Sequence, residues 1–212
     1  TGRAFAKLCY CIVVAAPVFS VLKPSKNLGL RLLAFGDARQ GKDEISISIL
    51  KYAPVGAVEI NAENTSSAGL IGGVVQDDAL GGWSIVWGRL AEVDQMLAIL
   101  TGLSGMRQED VSGLREIISR GKATVDKIAS GSRPCRIRLI VSANCPNTIR
   151  NYASPYAARR NVGAGQERLF KEDPDLVRFP LTIPFDERDV SISDRISSSF
   201  NYDETVKCES LT

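Results

Sequence analysis

The sequence predicts an α/β layered domain with a mainly parallel sheet. Apolar runs of strand length alternate along the chain with segments of helical character, the pattern that builds strand–helix–strand units. One run, MLAIL at 96–100, is apolar at every position, as strands buried on both faces are. A third observation is LRLLAFGDARQGKD at 30–43, where an apolar strand runs into Gly36-x4-Gly41-Lys42 and then into a helix. That is the strand–loop–helix context in which a phosphate-binding loop is meaningful.

The elements follow in order. The longest apolar run, LCYCIVVAAPVFSVL at 8–22, reads as a buried helix rather than a targeting or membrane segment, although Arg3 and Lys7 precede it. It is shorter than the roughly 20 residues of a spanning helix, and Pro17 interrupts it. The chain opens on Thr1 rather than methionine, as a fragment does. After the loop, EISISILKYA (44–53) alternates like a strand at its start, yet its place behind Gly41-Lys42 favours a helix. Pro54 and Gly56 stop it, and AVEIN (57–61) is the next strand. A Gly- and Ser-rich stretch with the strand WSIVWG (83–88) reads as a loop and hairpin inserted into the frame. Trp83 and Trp87 fall on one face there, as core residues.

Met106 to Arg120 reads as a helix closed by Gly121, and KATVDKIASG (122–131) as a basic hairpin. RIRLIVSAN (136–144) is a strand ending in a polar Asn, and LVRFPLTIPF (176–185) holds the last strand. Residues 151–174 and the tail from Ser197 are polar and read as loop or disordered.

A chain of 212 residues, 44% hydrophobic and 24% charged, can build one sizeable core. Its net charge of +2 gives no global nucleic-acid or membrane signal, so any anion-binding surface is local. Cys9, Cys11, Cys135, Cys145 and Cys208 are odd in number and lack paired metal-ligand spacing, which favours a reducing compartment over a disulfide framework. The chain has no histidine, and this excludes His-based triads, His metal sites and imidazole acid–base catalysis.

In the loop itself, Gly36, Asp37, Ala38, Arg39, Gln40, Gly41, Lys42 and Asp43 are the candidate phosphate cradle. Glycines let successive backbone N–H groups curl around phosphate oxygens, and the lysine reaches the outer phosphates. The next position normally supplies a Ser or Thr hydroxyl to Mg²⁺, and here it is Asp43. A carboxylate could ligate the metal, but beside a phosphate it is a like charge, opposed by about 4 kcal/mol at about 4 Å and an effective dielectric of about 20.

The order of these pieces resembles the AAA+ module of the minichromosome maintenance (MCM) replicative helicases, over roughly residues 6–200. AKLCYCIVVAAPVF resembles the helix before that core, and LRLLAFGDARQGKDEISISILKYAPVGAV its variant phosphate loop, opened by Gly-Asp. SSAGLIGGVVQDDALGGWSIVWGRLAEVD resembles the helix-2 insert, MRQEDVSGLREII the Met-Arg-Pro-Glu-Asp helix, and TVDKIASG the pre-sensor hairpin. VSANCP resembles the sensor strand, with Asn144 as its polar tip, and LVRFPLTIPF the strand entry that places Arg178 at the arginine-finger position. DERDVSISDRI resembles the linker into the lid.

The resemblance implies a P-loop NTPase core with helix-2 and pre-sensor hairpin inserts and the lid largely absent. Residues 1–29 would be an N-terminal helix leading into the core, 30–196 the core, and 197–212 a polar tail, either the start of a truncated lid or disordered. It implies ATP with Mg²⁺ as cofactor, bound weakly. As partners it implies DNA, contacted without sequence preference through Lys122 and Lys127, and other MCM-type subunits in a homo- or hetero-oligomeric ring, with no membrane. The location would be intracellular, nuclear in a eukaryote and cytoplasmic in an archaeon.

The chain departs from the family where hydrolysis is done. Thr101 and Gly102 stand where the family carries the acidic pair of its Walker B motif, and Glu92, Asp94 and Glu109 read as surface charges off that strand tip. An acid is needed there to hold the metal shell and another to polarise the attacking water. Lys42 is a residual phosphate ligand or a solvated lysine, Asn144 a water-positioning relic or a strand-end amide, Arg178 an intersubunit finger or a salt-bridged surface residue. Arg159 and Arg160 beside Tyr156 read as a flexible basic loop or as a nucleic-acid contact.

The expected function is a degenerate subunit in DNA replication or recombination, nucleotide-binding or structural, with impaired hydrolysis. The alternatives are a working helicase subunit in which Asp43 and a displaced acid rebuild the metal site, a pseudo-ATPase interaction module, and an AAA+ chaperone of the magnesium-chelatase or MoxR type.

Overall fold

The computed structural model describes residues 3–18, 28–53, 56–77, 81–103, 106, 108–162 and 176–186. Its centre is a parallel five-stranded sheet in the order β2-β5-β8-β1-β9, built from β1 (Arg31–Gly36), β2 (Ala57–Asn61), β5 (Leu97–Thr101), β8 (Arg138–Asn144) and β9 (Leu181–Phe185). The mainly parallel sheet predicted from the apolar runs is present, and all four of its pairings are parallel. β5 is buried at all five positions, and Pro184, which cannot donate to a ladder, lies on the edge strand β9.

Alternation along β1 sets the layers. Leu32 and Ala34 face helix α1 (Ala4–Ala15), whose Ala6, Cys9, Tyr10 and Val13 are buried, and helix α2 (Lys42–Tyr52). Leu33 and Phe35 face the other way, into the larger cluster with Leu70 of the one-turn helix α3 (Ser67–Leu70) and Leu114, Ile117 and Ile118 of α4 (Gln108–Arg120). This period of two is what a strand buried on both faces requires. A Leu33→Ala change would cost about 3 kcal/mol.

Two antiparallel hairpins are added: β3 (Gly72–Asp77) with β4 (Gly82–Trp87), and β6 (Lys122–Asp126) with β7 (Ser130–Pro134). They pack on each other. A Cβ on Gly131 would lie 2.8 Å from Ile85 Cδ1, and the Arg133 guanidinium lies 5.7 Å from the Trp87 ring centroid.

Several expectations are corrected. The first helix starts at Ala4 and ends at Ala15, ahead of Pro17, instead of filling 8–22. The 44–53 segment, ambiguous in its periodicity, is helix as its place behind Gly41-Lys42 predicted, and the turn at Gly41 launches it. Trp87 is packed against the core but Trp83 is 48% exposed. Within 151–174, residues Pro155–Arg159 form the short helix α5, capped by Ser154 Oγ accepting from Ala157 N. Asp94 is half-buried in an ion pair with Arg136 at 2.5 Å instead of lying free on the surface. Residues 163–175, the linker from 187 and the tail from 197 lie outside the described residues, as does Cys208. No described helix is long and apolar enough to cross a membrane.

Candidate functional site

The site sits at the carboxyl ends of the parallel strands, where open α/β sheets bind ligands. Gly36 closes β1 at φ 146°, and a Cβ there would lie 2.2 Å from the Phe185 carbonyl oxygen on β9. Only glycine lets the loop leave the sheet at this point. Asp37 N then donates to that same Phe185 oxygen at 3.1 Å, and Cys145 N donates to Gly36 O at 3.1 Å. The Asp37 carboxylate turns inward and accepts from Ile149 N at 2.8 Å, fixing the loop to the segment after β8. Ala38 and Arg39 form the exposed crest, with Arg39 in the left-handed region at φ 58°. Such a conformation costs about 1–2 kcal/mol in a non-glycine residue. Gly41, at φ 72°, is the N-cap of α2.

Lys42 is neither a solvated lysine nor extended outward. It is 4% exposed, and its Nζ donates to Asp37 O at 2.5 Å and Gly36 O at 3.4 Å, so the loop's own carbonyls occupy it. Burial lowers its pKa, opposed first by the Asp43 carboxylate and less by that of Asp37. Burial also pushes the Cys145 thiol beside it up to about 11.

Asp43 lies in the first turn of α2 with Glu44, where carboxylates complement the helix dipole. Its Oδ1 accepts from the buried Ser142 hydroxyl at 2.5 Å. Beyond it opens a polar cavity of about 310 Å³ lined by Asp43, Glu59, Asn61, Glu63, Thr101, Gly102, Ser142, Ala143 and Asn144. The tip of β5 presents Thr101, whose hydroxyl lies 3.5 Å from Glu59 Oε1, and Gly102 at φ 65°. Asn144 is exposed at the end of β8, in register with Gly36. A larger groove of about 640 Å³ between α1 and α2 is lined by Val14, Ile45 and Ile49 and suits an apolar surface rather than a phosphate.

The donor set fits a phosphate at the loop and does not fit Mg²⁺ at the positions the family resemblance assigns. Gly36, Gly41 and Lys42 frame the start of an 11-residue helix. The metal-side positions hold a carboxylate already bonded to Ser142, a neutral Thr101 and Gly102. Among the described residues no three carboxylate, thiol or imidazole side chains converge closely enough to hold a metal ion.

The other predicted residues lie elsewhere. Lys122 opens β6 and Lys127 sits in the hairpin turn, both exposed and away from the loop. Arg178 is at the opposite end of the sheet: its Nε donates to Ser119 Oγ at 2.8 Å near the C-terminus of α4, and it is close enough to Arg31 to lower that residue's pKa, second to burial. The six residues of β1 separate Arg31 from the loop, about 17 Å.

Sequence reasoning missed Ser142, Glu59 and Glu63, which the parallel register brings to one rim, and Arg3, whose guanidinium donates to Gln40 Oε1 and to Asp186 O, both at 3.1 Å. A place within or just after segments that read as strands was the available signal for the first three. Nothing local marked Arg3.

The family model for the MCM P-loop domain matches residues 24–198. A search of curated proteins found no match to the chain. With the five-stranded parallel sheet, the loop after β1, the polar strand tip at Asn144 and a family match over most of its length, the chain belongs to the MCM P-loop domain family, an AAA+ type of P-loop NTPase core.

Proposed function

We propose that this chain is an MCM-type subunit that takes a nucleotide weakly through its phosphate loop, hydrolyses it poorly or not at all, and works within a ring on DNA in replication or recombination. One observation carries the reading: the tip of β5 ends in Thr101 and Gly102, so this strand offers no carboxylate of its own to metal and water, while the loop with Lys42 is retained. Arg178, at the far end of the sheet from its own loop, suits action on a neighbour's nucleotide. The exposed lysines of the β6–β7 hairpin suit phosphate contacts that carry no sequence information.

The test is steady-state turnover by the chain alone with Mg-ATP, beside Lys42→Ala, together with calorimetric titration of ATP. Weak binding that Lys42→Ala removes, with turnover at background, is the expected result. Turnover well above background that Lys42→Ala abolishes would overturn it.

A second reading, an active motor subunit, has one observation in its favour: Asp43, Glu59 and Glu63 line one cavity with Asn144. The absence of a convergent metal-binding group among the described residues weighs against it. Lack of any nucleotide binding would instead favour an interaction module.

A further inference from the structure

Residues 36–43 carry two carboxylates, Asp37 and Asp43, and two cations, Arg39 and Lys42. The loop therefore has no net charge with which to draw in a polyphosphate, and Lys42 is turned onto its own carbonyls. A further cation reaches the loop from outside it. Arg3, at the N-cap of α1, spans from Gln40 Oε1 to Asp186 O and lies 4.3 Å from the Phe185 ring centroid. Phe185 is the residue whose carbonyl meets Gly36 and accepts from Asp37 N, so Arg3 braces the floor and the crest of the loop together. Its charge is felt at Lys42 and at Tyr10. The Asp186 carboxylate, which would oppose an anion there, faces Arg150 Nε at 3.6 Å. Arg3 sits at this N-cap in the left-handed region, at φ 63°.

We propose that Arg3 is the positioning cation of the phosphate loop: it fixes the crest through Gln40 and restores the positive charge that Asp43 removes. The ligand such a site favours is a di- or triphosphate chain in preference to a nucleoside. The inference rests on the reading of the loop as an anion site, and the experiment separates the two.

Calorimetric titrations with inorganic triphosphate, ATP and adenosine, at two salt concentrations, compare the wild-type chain with Arg3→Gln, Arg3→Lys and Gln40→Leu, with thermal melting in parallel. Arg3→Gln should weaken triphosphate and ATP about tenfold or more. It should also flatten their salt dependence and leave adenosine unchanged. Arg3→Lys should keep the salt dependence and recover part of the affinity, and Gln40→Leu should weaken triphosphate several-fold without loss of charge. If Arg3→Gln lowers the melting temperature but binds triphosphate as the wild type does, Arg3 is a structural clamp and the proposal is overturned. If Arg3→Gln fails to fold, unchanged triphosphate affinity in Gln40→Leu overturns it. A wild-type chain that takes no triphosphate overturns both this proposal and the reading beneath it.

Discussion

Asp43 of α2 and Ser142 of β8, ninety-nine positions apart, share a 2.5 Å hydrogen bond in which the serine hydroxyl donates to the carboxylate. The bond spans the crevice between the loop's helix and the strand next to β1, so the side chain standing in place of the usual hydroxyl is held by the sheet. A charge-assisted bond of this kind is about twice as strong as a neutral one.

From that bond, Asp43→Ser should tighten Mg-ATP binding by removing a negative charge beside the phosphates. Ser142→Ala should do less, because it frees the carboxylate without deleting it. Calorimetry on the two variants decides. Unchanged or weaker affinity in Asp43→Ser would make the carboxylate a genuine metal ligand.

Lys42 holds binding and stability in opposition. Burial lowers its pKa, so the unfolded chain holds this proton more tightly, and the lysine destabilises the fold at every pH where it is charged in both states. The penalty shrinks as pH rises through the lowered folded pKa toward the ordinary value of 10.5. Lys42→Met should therefore abolish ATP binding while leaving the melting temperature equal or a few degrees higher near pH 7, with the gap narrowing on the alkaline side. A melting temperature that falls sharply would mean that the Gly36 and Asp37 carbonyls need the ammonium more than burial opposes it.

Gly36 serves the sheet before it serves any ligand. A Cβ 2.2 Å from the Phe185 oxygen, at φ 146°, forces β1 and β9 apart. Gly36→Ala should destabilise by about 3 kcal/mol, seen as a lower denaturation midpoint. An unchanged midpoint would show that β9 moves freely from the loop.

The legible parts of this protein were those encoded locally. The continuous apolar run of β5, the Gly36-to-Lys42 spacing, the polar tip at Asn144 and the hairpin around Lys127 all read correctly because each is fixed by neighbours within a few residues. Thr101 and Gly102 fell where expected, at the β5 tip, for the same reason. The hydrogen-bond partners did not read. Ser142 and Asp43 meet where α2 packs on β8, Asp37 reaches Ile149 N across 112 positions, and Arg3 reaches Asp186 across 183. The burial of Lys42, which sets aside the solvated alternative, did not read either, since it depends on where the loop's carbonyls point.

Lys122 and Lys127 are exposed at the two ends of β6, with Ala123 and Val125 buried between them. If they touch DNA phosphates, each contributes about 0.9 to the salt slope on duplex DNA. Replacing both by Ala should lower affinity evenly across sequences and reduce the slope by about 2. Identical affinity and slope would remove the hairpin as a contact.

Arg178 gives the last prediction. Its side chain is held by Ser119 at the start-of-strand end of the sheet, and β1 alone puts about 17 Å between that end and the chain's own loop. That separation keeps it from the phosphates of its own site, and action on a neighbour's nucleotide is the use proposed for it. Arginine suits that use because it stays charged and forks onto phosphate oxygens, and a finger supplied in trans raises phosphoryl-transfer rates by roughly 10³ to 10⁵. Mixed with an intact family member, the chain should raise the partner's turnover. Arg178→Ala should cancel that gain while the melting temperature drops by no more than a few degrees, since one half-exposed hydrogen bond to Ser119 is worth about 1 kcal/mol. Ser119→Ala separates the two roles: it removes the tether but keeps the guanidinium, so stimulation should persist. Equal stimulation by wild type and Arg178→Ala would leave Arg178 as a brace for α4.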